Sequence, residues 1–223
     1  MSKKDYTFIG VVLDRSGSMG SVLDDTIGGF NNFLKENQSV EDDEGLFTLA
    51  QFSSDYSLIY DAIPIKEVPP LDTKSYSVYG WTALLDAIGK TIVSMDQKLS
   101  VLEESEKPKK VIMVVITDGQ DNSSKEYTKS AIASMIKTKE SDSDWEFLFL
   151  GANMDSVKEA ASFGFSGNNV AEYATNAVGT KETFDLVSDS IKSYRRMSDD
   201  SRQVNKSSIL SNQLNQKSYK LQG

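Results

Sequence analysis

The chain has 223 residues, of which 39% are apolar and 26% charged, and its formal net charge is −9. It contains no cysteine and no histidine, which excludes disulfide scaffolds, zinc–thiolate sites, iron–sulfur clusters, thiol catalysis and the usual general base at neutral pH. The negative balance disfavours nucleic acid, no apolar run is long enough to span a membrane, and the start, MSKKDYTFIG, lacks an apolar signal core and reads as cytoplasmic.

Tyr6–Asp14 is a continuous apolar run ending in an acid, the pattern of a strand buried on both faces. The loop RSGSMGS follows. Leu23, Ile27, Phe30 and Leu34 then recur at helical spacing. Gly28 and Gly29 inside that helix cost stability, and close packing against a neighbour is the plain reason for them. Glu41–Glu44 is an acidic surface loop. Leu46–Phe52 and Tyr56–Ala62 are predicted strands joined by Ser53-Ser54-Asp55 in an antiparallel hairpin. Pro64–Tyr79 holds three of the four prolines and reads as an irregular crossing.

Leu85, Ile88, Ile92, Met95, Leu99 and Leu102 form the cleanest helical stripe, with Thr82 just before it in the N-cap position. Lys107–Lys110 is a short basic cluster that reads as a solvated loop. Val111–Thr117 is a second buried strand ending in an acid, Asp118. A helix over Tyr127–Lys139, a strand over Trp145–Leu150, a short helix ending near Phe163, an edge strand at Val170–Tyr173 and a helix carrying Phe184, Val187, Ile191 and Tyr194 complete the body. From Met197 onward Ser, Asn, Gln and Lys dominate. Residues 197–223 therefore read as a tail, flexible or a docking arm, with Leu210, Leu214 and Leu221 as a thin apolar stripe.

Alternating strands and helices imply an α/β fold: an open, mostly parallel sheet with helices on both faces. Ligands of such sheets bind beyond the carboxyl ends of the strands, where strand order reverses. Asp14 and Asp118 stand at two such ends. In Asp14-Arg15-Ser16-Gly17-Ser18, alternation along an extended loop would aim one carboxylate and two hydroxyls the same way. Thr82 adds an oxygen, and Asp118 adds another directly or through water. Two carboxylates and three hydroxyls suit a hard divalent ion, Mg²⁺ or else Mn²⁺ or Ca²⁺, and two aspartates balance its charge. Singly, each piece is ordinary: a polar turn, a helix cap, an Asp-Gly turn. It is their joint placement that points to a site.

DRSGSMG after one apolar strand, GWTALLDAI at a helix start and VVITDGQDNSS after a second strand together resemble von Willebrand factor A (VWA) domains and their metal-ion-dependent adhesion site (MIDAS). The resemblance spans roughly residues 5–195 and assigns 1–196 to that domain. It implies a Rossmann-like sheet with one antiparallel strand. It implies Mg²⁺ or a similar ion with Ser16, Ser18 and Thr82 as direct ligands. Asp14 and Asp118 would bind directly or through water, and an Asp or Glu of a protein partner would complete the shell. In size and lack of cysteine the chain is similar to bacterial or phage intracellular members.

The function expected is therefore a metal-dependent protein-binding module, not an enzyme. The alternatives are a structural or assembly subunit of a phage or intracellular complex and, below it, a metal-assisted phosphohydrolase. Against the last stand the missing histidine and cysteine and the absence of a phosphate-binding loop motif. Around the cluster, Asp121 and Asn122 offer either support to the ligands or ordinary capping. Arg15 offers a greeting for an acidic partner or mere solvation, and Asn153, in the turn after the Trp145 strand, a place on the same carboxyl edge or an ordinary turn residue. Tyr79 and Trp81 are either exposed anchors or packed side chains.

Overall fold

The computed structural model describes residues 4–40, 45–151, 154–172, 176–204 and 208–209. Six strands form one sheet: β1 (Lys4–Asp14), β2 (Leu46–Phe52), β3 (Tyr56–Pro64), β4 (Pro108–Thr117), β5 (Trp145–Gly151) and β6 (Val170–Glu172). Their order is β3-β2-β1-β4-β5-β6. Every pairing is parallel except that of β2 with β3, the expected hairpin. The helices are α1 (Leu23–Gln38), α2 (Leu84–Ser100), α3 (Lys129–Asp142), α4 (Met154–Ser162), α5 (Ala177–Arg196) and α6 (Asp199–Val204).

The period-two alternation of the buried strands sorts the core into two layers. Ile9, Val11 and Leu13 of β1 and Ile112, Val114 and Ile116 of β4 face Phe30, Phe33 and Leu34 of α1 and Val187 and Ile191 of α5. Phe8 and Val12, with Val111, Met113 and Val115, face Leu85, Ile88 and Ile92 of α2 and Ile132 and Ile136 of α3. Covered on both sides, the central strands have no solvent-facing row, which is why their sequence reads as unbroken apolar runs.

The glycine pair in α1 divides its roles. A Cβ on Gly29 would lie 2.2 Å from the Phe184 ring of α5, whereas one on Gly28 would meet nothing within 4 Å. Close packing explains Gly29 only. The stripe on α2 ends sooner than its spacing suggested: the helix stops at Ser100, so Leu102 lies outside it. The Lys107–Lys110 cluster is not a solvated loop. Pro108–Lys110 opens β4, and the ammonium of Lys110 is buried, donating to the Arg195 carbonyl. A four-carbon stem along an apolar wall and a carbonyl at its end make that burial tolerable.

Beyond Arg196, α6 follows directly, Arg202 donates to the Lys109 carbonyl at 2.7 Å, and Ile209 is buried with the α1–α5 layer. Leu210, Leu214 and Leu221 lie outside the described residues, as do Glu41–Glu44. No helix among the described residues is long and apolar enough to cross a membrane.

Candidate metal centre

The order of strands reverses at β1: the chain leaves it toward β2 on one side and β4 on the other. Asp14 closes β1, and Asp118 follows the last residue of β4. Parallel registry, with Leu13 opposite Ile116, therefore brings the two acids to the same edge of the sheet, at the switch point where α/β proteins hold ligands.

Asp14 is fully buried, at 0% exposure. One carboxylate oxygen accepts the Ser16 N–H at 2.6 Å and the other accepts the Thr117 hydroxyl at 2.5 Å. The carbonyl of Asp14 accepts the Tyr76 hydroxyl at 2.5 Å. Burial pushes the Asp14 carboxyl up to about 6, against the pull of the Thr117 and Ser16 hydrogen bonds and with a further push from the charge of Asp118. Asp118 is likewise raised by burial, opposed by the Ser18 hydroxyl.

The backbone stays extended only as far as Ser16. Gly17–Val22 winds into a 3₁₀ turn, and the turn brings the hydroxyls together. Ser16 Oγ lies 3.2 Å from Ser18 Oγ, and Ser18 Oγ donates to Asp118 Oδ1 at 2.7 Å. In octahedral Mg²⁺ coordination, metal–oxygen distances near 2.05 Å put adjacent oxygens about 2.9 Å apart. The two observed spacings bracket that value. The donor set is all oxygen, with two carboxylates. No group of three or more His, Cys, Asp or Glu among the described residues gathers to hold a metal, so softer or more highly charged sites are not built here. The residues fit a small, hard divalent cation.

Thr82 departs from the expectation in an informative way. It does not cap α2: the N-cap residue is Ala83, with no side-chain cap hydrogen bond. The first turn of α2 is served from across the fold, where Leu85 N–H donates to Asp121 Oδ1 at 3.3 Å and Asp86 N–H to Ser124 Oγ at 3.0 Å. Thr82 instead sits beside the Asp118 turn. Its hydroxyl oxygen would be 3.4 Å from a Cβ on Gly119. Its backbone is clasped by Asn122, whose side-chain oxygen accepts Thr82 N–H at 2.8 Å and whose own N–H donates to the Thr82 carbonyl at 2.9 Å. Asp121 and Asn122 thus support the Thr82 loop and the start of α2, not the next helix.

Asp86 extends the same support, and sequence reasoning missed it. Its carboxylate accepts the N–H groups of Lys125, Glu126 and Tyr127, each at 2.9 Å. Burial alone would raise this carboxyl, but the three backbone donors outweigh it and hold it below the ordinary value. The only signal in the sequence was an acid at an inward position of the α2 stripe.

Arg15 is not a solvated arginine. It is buried, bonds Ser57 Oγ at 3.0 Å, pairs with Asp55 at 3.4 Å and lies 4.7 Å over the Tyr79 ring. Tyr79 and Trp81 are exposed, at 44% and 69%. Asn153 lies outside the described residues.

No protein-family model and no curated protein matches the sequence. Solved structures do match it in fold. Proximal thread matrix protein 1 from the mussel byssus, with a zinc-occupied MIDAS motif, aligns at 14% identity and a TM-score of 0.60, over 84% of this chain and 48% of its own. The vWF domain of a type V pili tip protein from Porphyromonas gingivalis aligns at 9% identity and a TM-score of 0.64, over 89% of this chain and 99% of its own. The manganese-loaded TRAP protein of Plasmodium vivax aligns at 16% identity and a TM-score of 0.53, over 81% and 73%. The chain spans about half the length of the mussel protein. Its fold is that of von Willebrand factor A domains.

Proposed function

We propose that this chain is a metal-dependent protein-binding module. Asp14, Ser16, Ser18, Thr82 and Asp118 would hold one divalent cation, Mg²⁺ or else Mn²⁺ or Ca²⁺, and an Asp or Glu of a partner would complete its shell. The observation that carries this reading is the run of oxygens Ser16–Ser18–Asp118, spaced 3.2 and 2.7 Å at the end of β1 and β4. Three neutral hydroxyls and two carboxylates leave a divalent ion neutralised but not over-neutralised, so an outside carboxylate is a favourable further ligand. A bound cation supplies that electrophilic position; the protein supplies its shape.

Each residue has a task. Asp14, with a protein donor on both oxygens, would supply charge, directly or through a water. Ser16 and Ser18 would offer oxygens without charge. Thr82 comes from a separate loop whose position is set by Asn122. Asp118 brings the second charge from β4.

A non-enzymatic role is supported by the company of the fold: a byssus matrix protein and pilus proteins. The same company supports an assembly role as a second reading. A phosphohydrolase would need a general base, and the sequence holds no histidine or cysteine to serve as one. Calorimetric titration of the full chain with Mg²⁺ and Mn²⁺ tests the proposal. We expect binding that is lost in S16A and D118A. A wild-type protein that takes up neither ion at millimolar concentration would overturn it.

A further inference from the structure

We infer that Tyr76 is a positioning residue that biases the proposed site toward the smaller ion, by fixing the backbone of Asp14 at the point where the sheet splits. This rests on the metal-binding reading above and names what sets the ion preference of that same site.

The split is visible in the strand pairing. Toward β2 the ladder of β1 runs to its last residue, with Asp14 opposite Phe52. Toward β4 it stops one residue earlier, with Leu13 opposite Ile116. Arg15 N–H donates to the Phe52 carbonyl at 2.7 Å. A trans peptide aims its N–H and its C=O in opposite directions, and the described residues hold no cis bond. The Asp14 carbonyl therefore faces the β4 side, just past the point where that ladder ends. A buried carbonyl without a donor is costly. The Tyr76 hydroxyl fills the place: it donates to the Asp14 carbonyl at 2.5 Å, and Tyr76 is fully buried.

Tyr76 is delivered by a segment with little freedom of its own. Asp72 Oδ1 accepts the N–H groups of Lys74 and Ser75 at 3.0 and 2.8 Å, and the Asp72 carbonyl accepts Tyr76 N–H at 2.9 Å. Helix α1 holds the segment through Asn31, which donates to the Leu71 carbonyl at 2.8 Å and accepts Leu71 N–H at 2.7 Å. Strand β2 holds it through Gln51, whose side-chain amide donates to the Ser75 carbonyl at 3.0 Å. Leu71 is itself buried in the layer of α1 and α5. Leu71–Tyr76 is thus a brace that ties α1 and β2 to the end of β1.

Positional tolerance is what distinguishes the candidate ions. Mg²⁺ takes oxygens at about 2.0–2.1 Å in a nearly ideal octahedron, whereas Ca²⁺ accepts about 2.3–2.6 Å and looser geometry. A drift of roughly 0.3–0.5 Å in one donor spoils the first arrangement and is absorbed by the second. The Asp14 carboxylate is already held by Ser16 N–H and the Thr117 hydroxyl. Tyr76 pins the peptide behind it, so the whole residue is fixed. A side chain outside the ligand set acts in this way on which ion is held.

The Y76F variant removes the hydroxyl alone. The full chain is titrated by calorimetry with Mg²⁺ and, separately, with Ca²⁺. We expect Y76F to weaken Mg²⁺ binding about tenfold and Ca²⁺ binding less than about threefold, so that the preference shifts toward Ca²⁺. In the metal-free chain the Ser16 amide should exchange with solvent faster in Y76F than in the wild type. I136A, which truncates a buried side chain of α3 on the other face of the sheet, should lower Tm without moving the ratio of the two affinities. N31A loosens the brace from its α1 end without touching the Asp14 carbonyl; it should shift the ratio in the same direction and decides the matter if Y76F fails to fold. Equal weakening of both ions in Y76F, Ser16 exchange as slow as in the wild type, or a shift just as large in I136A would overturn the role of Tyr76 while leaving the metal reading standing. A wild-type chain that binds neither ion would bring down both.

Discussion

Asn122 grips the peptide of Thr82 from both sides, accepting its N–H on the side-chain oxygen at 2.8 Å and donating its own N–H to the carbonyl at 2.9 Å. This makes the Thr82 loop and the Asp118 loop one body, although the two proposed ligands stand 36 positions apart in sequence. A side chain that fixes a ligand's backbone without touching the ion tunes affinity through position.

N122A should therefore weaken Mn²⁺ binding by roughly 10-fold or more, while N122D, which keeps an acceptor for Thr82 N–H, should lose less. Calorimetry on both variants, with circular dichroism to confirm the fold, measures this. Equal affinity in N122A and wild type would show that Thr82 is positioned by other contacts.

A bound cation should also stabilise the fold. Saturation at about 100 times the dissociation constant adds about 2.7 kcal/mol, seen as a rise in Tm with Mg²⁺. Asp14 is a carboxylate stripped of water, and that burial is costly until a cation offsets it. We expect D14N to lose the Mg²⁺-dependent rise in Tm while its metal-free Tm equals or exceeds that of the wild type. A metal-free D14N that melts well below the wild type would mean that the carboxylate's hydrogen bonds outweigh its dehydration.

Asp86 supports the site at a distance, and its contribution depends on pH. The three backbone donors favour the ionised form, so the folded carboxyl lies below its ordinary value of 3.8. The stability it adds is complete above that value and is lost as pH falls through the folded one. D86N should cost about 1–3 kcal/mol at neutral pH, and the gap to wild type should narrow on acidification below pH 4. Urea unfolding at pH 7 and at pH 3 tests the sign: a gap that stays constant would assign the loss to packing and not to charge.

The two adjacent glycines of α1 should respond oppositely to alanine. G28A fills open space on a helix and should gain up to about 1 kcal/mol. G29A drives a methyl group to 2.2 Å from the Phe184 ring and should cost about 1–3 kcal/mol. Thermal melts of the two single variants decide the matter, and a stable G29A would show that α5 can retreat freely from α1.

The two strand-end acids were legible in the sequence because burial on both faces leaves a run with no polar interruption until the strand ends. Asp14 and Asp118 are where those runs stop. The hairpin, the parallel sheet and the approximate helices followed from the same periodicities. What the sequence hid was decided by partners far along the chain. Thr82 sits where a cap belongs, but Asp121 and Ser124 serve the helix instead. Arg15 reads as solvated until Asp55, Ser57 and Tyr79 close around it. Lys110 reads as a loop residue until the Arg195 carbonyl receives it. The 3₁₀ turn that starts at Gly17 could not be told from an extended loop, since the run Gly17–Val22 carries no apolar periodicity that favours either. In each case local pattern gave the backbone's preference, and long-range hydrogen bonds chose the side chain's role.

The borrowed cap of α2 has a mechanical meaning. The helix is 17 residues long, a rod of about 25 Å, and its first turn is tied to the segment that follows Asp118. Axial travel of this rod cannot stay local: a pull at its Ser100 end drags on Asp121 and Ser124, and through them on the turn that carries Asp118. The far end of the rod would thus be a handle on the proposed metal centre.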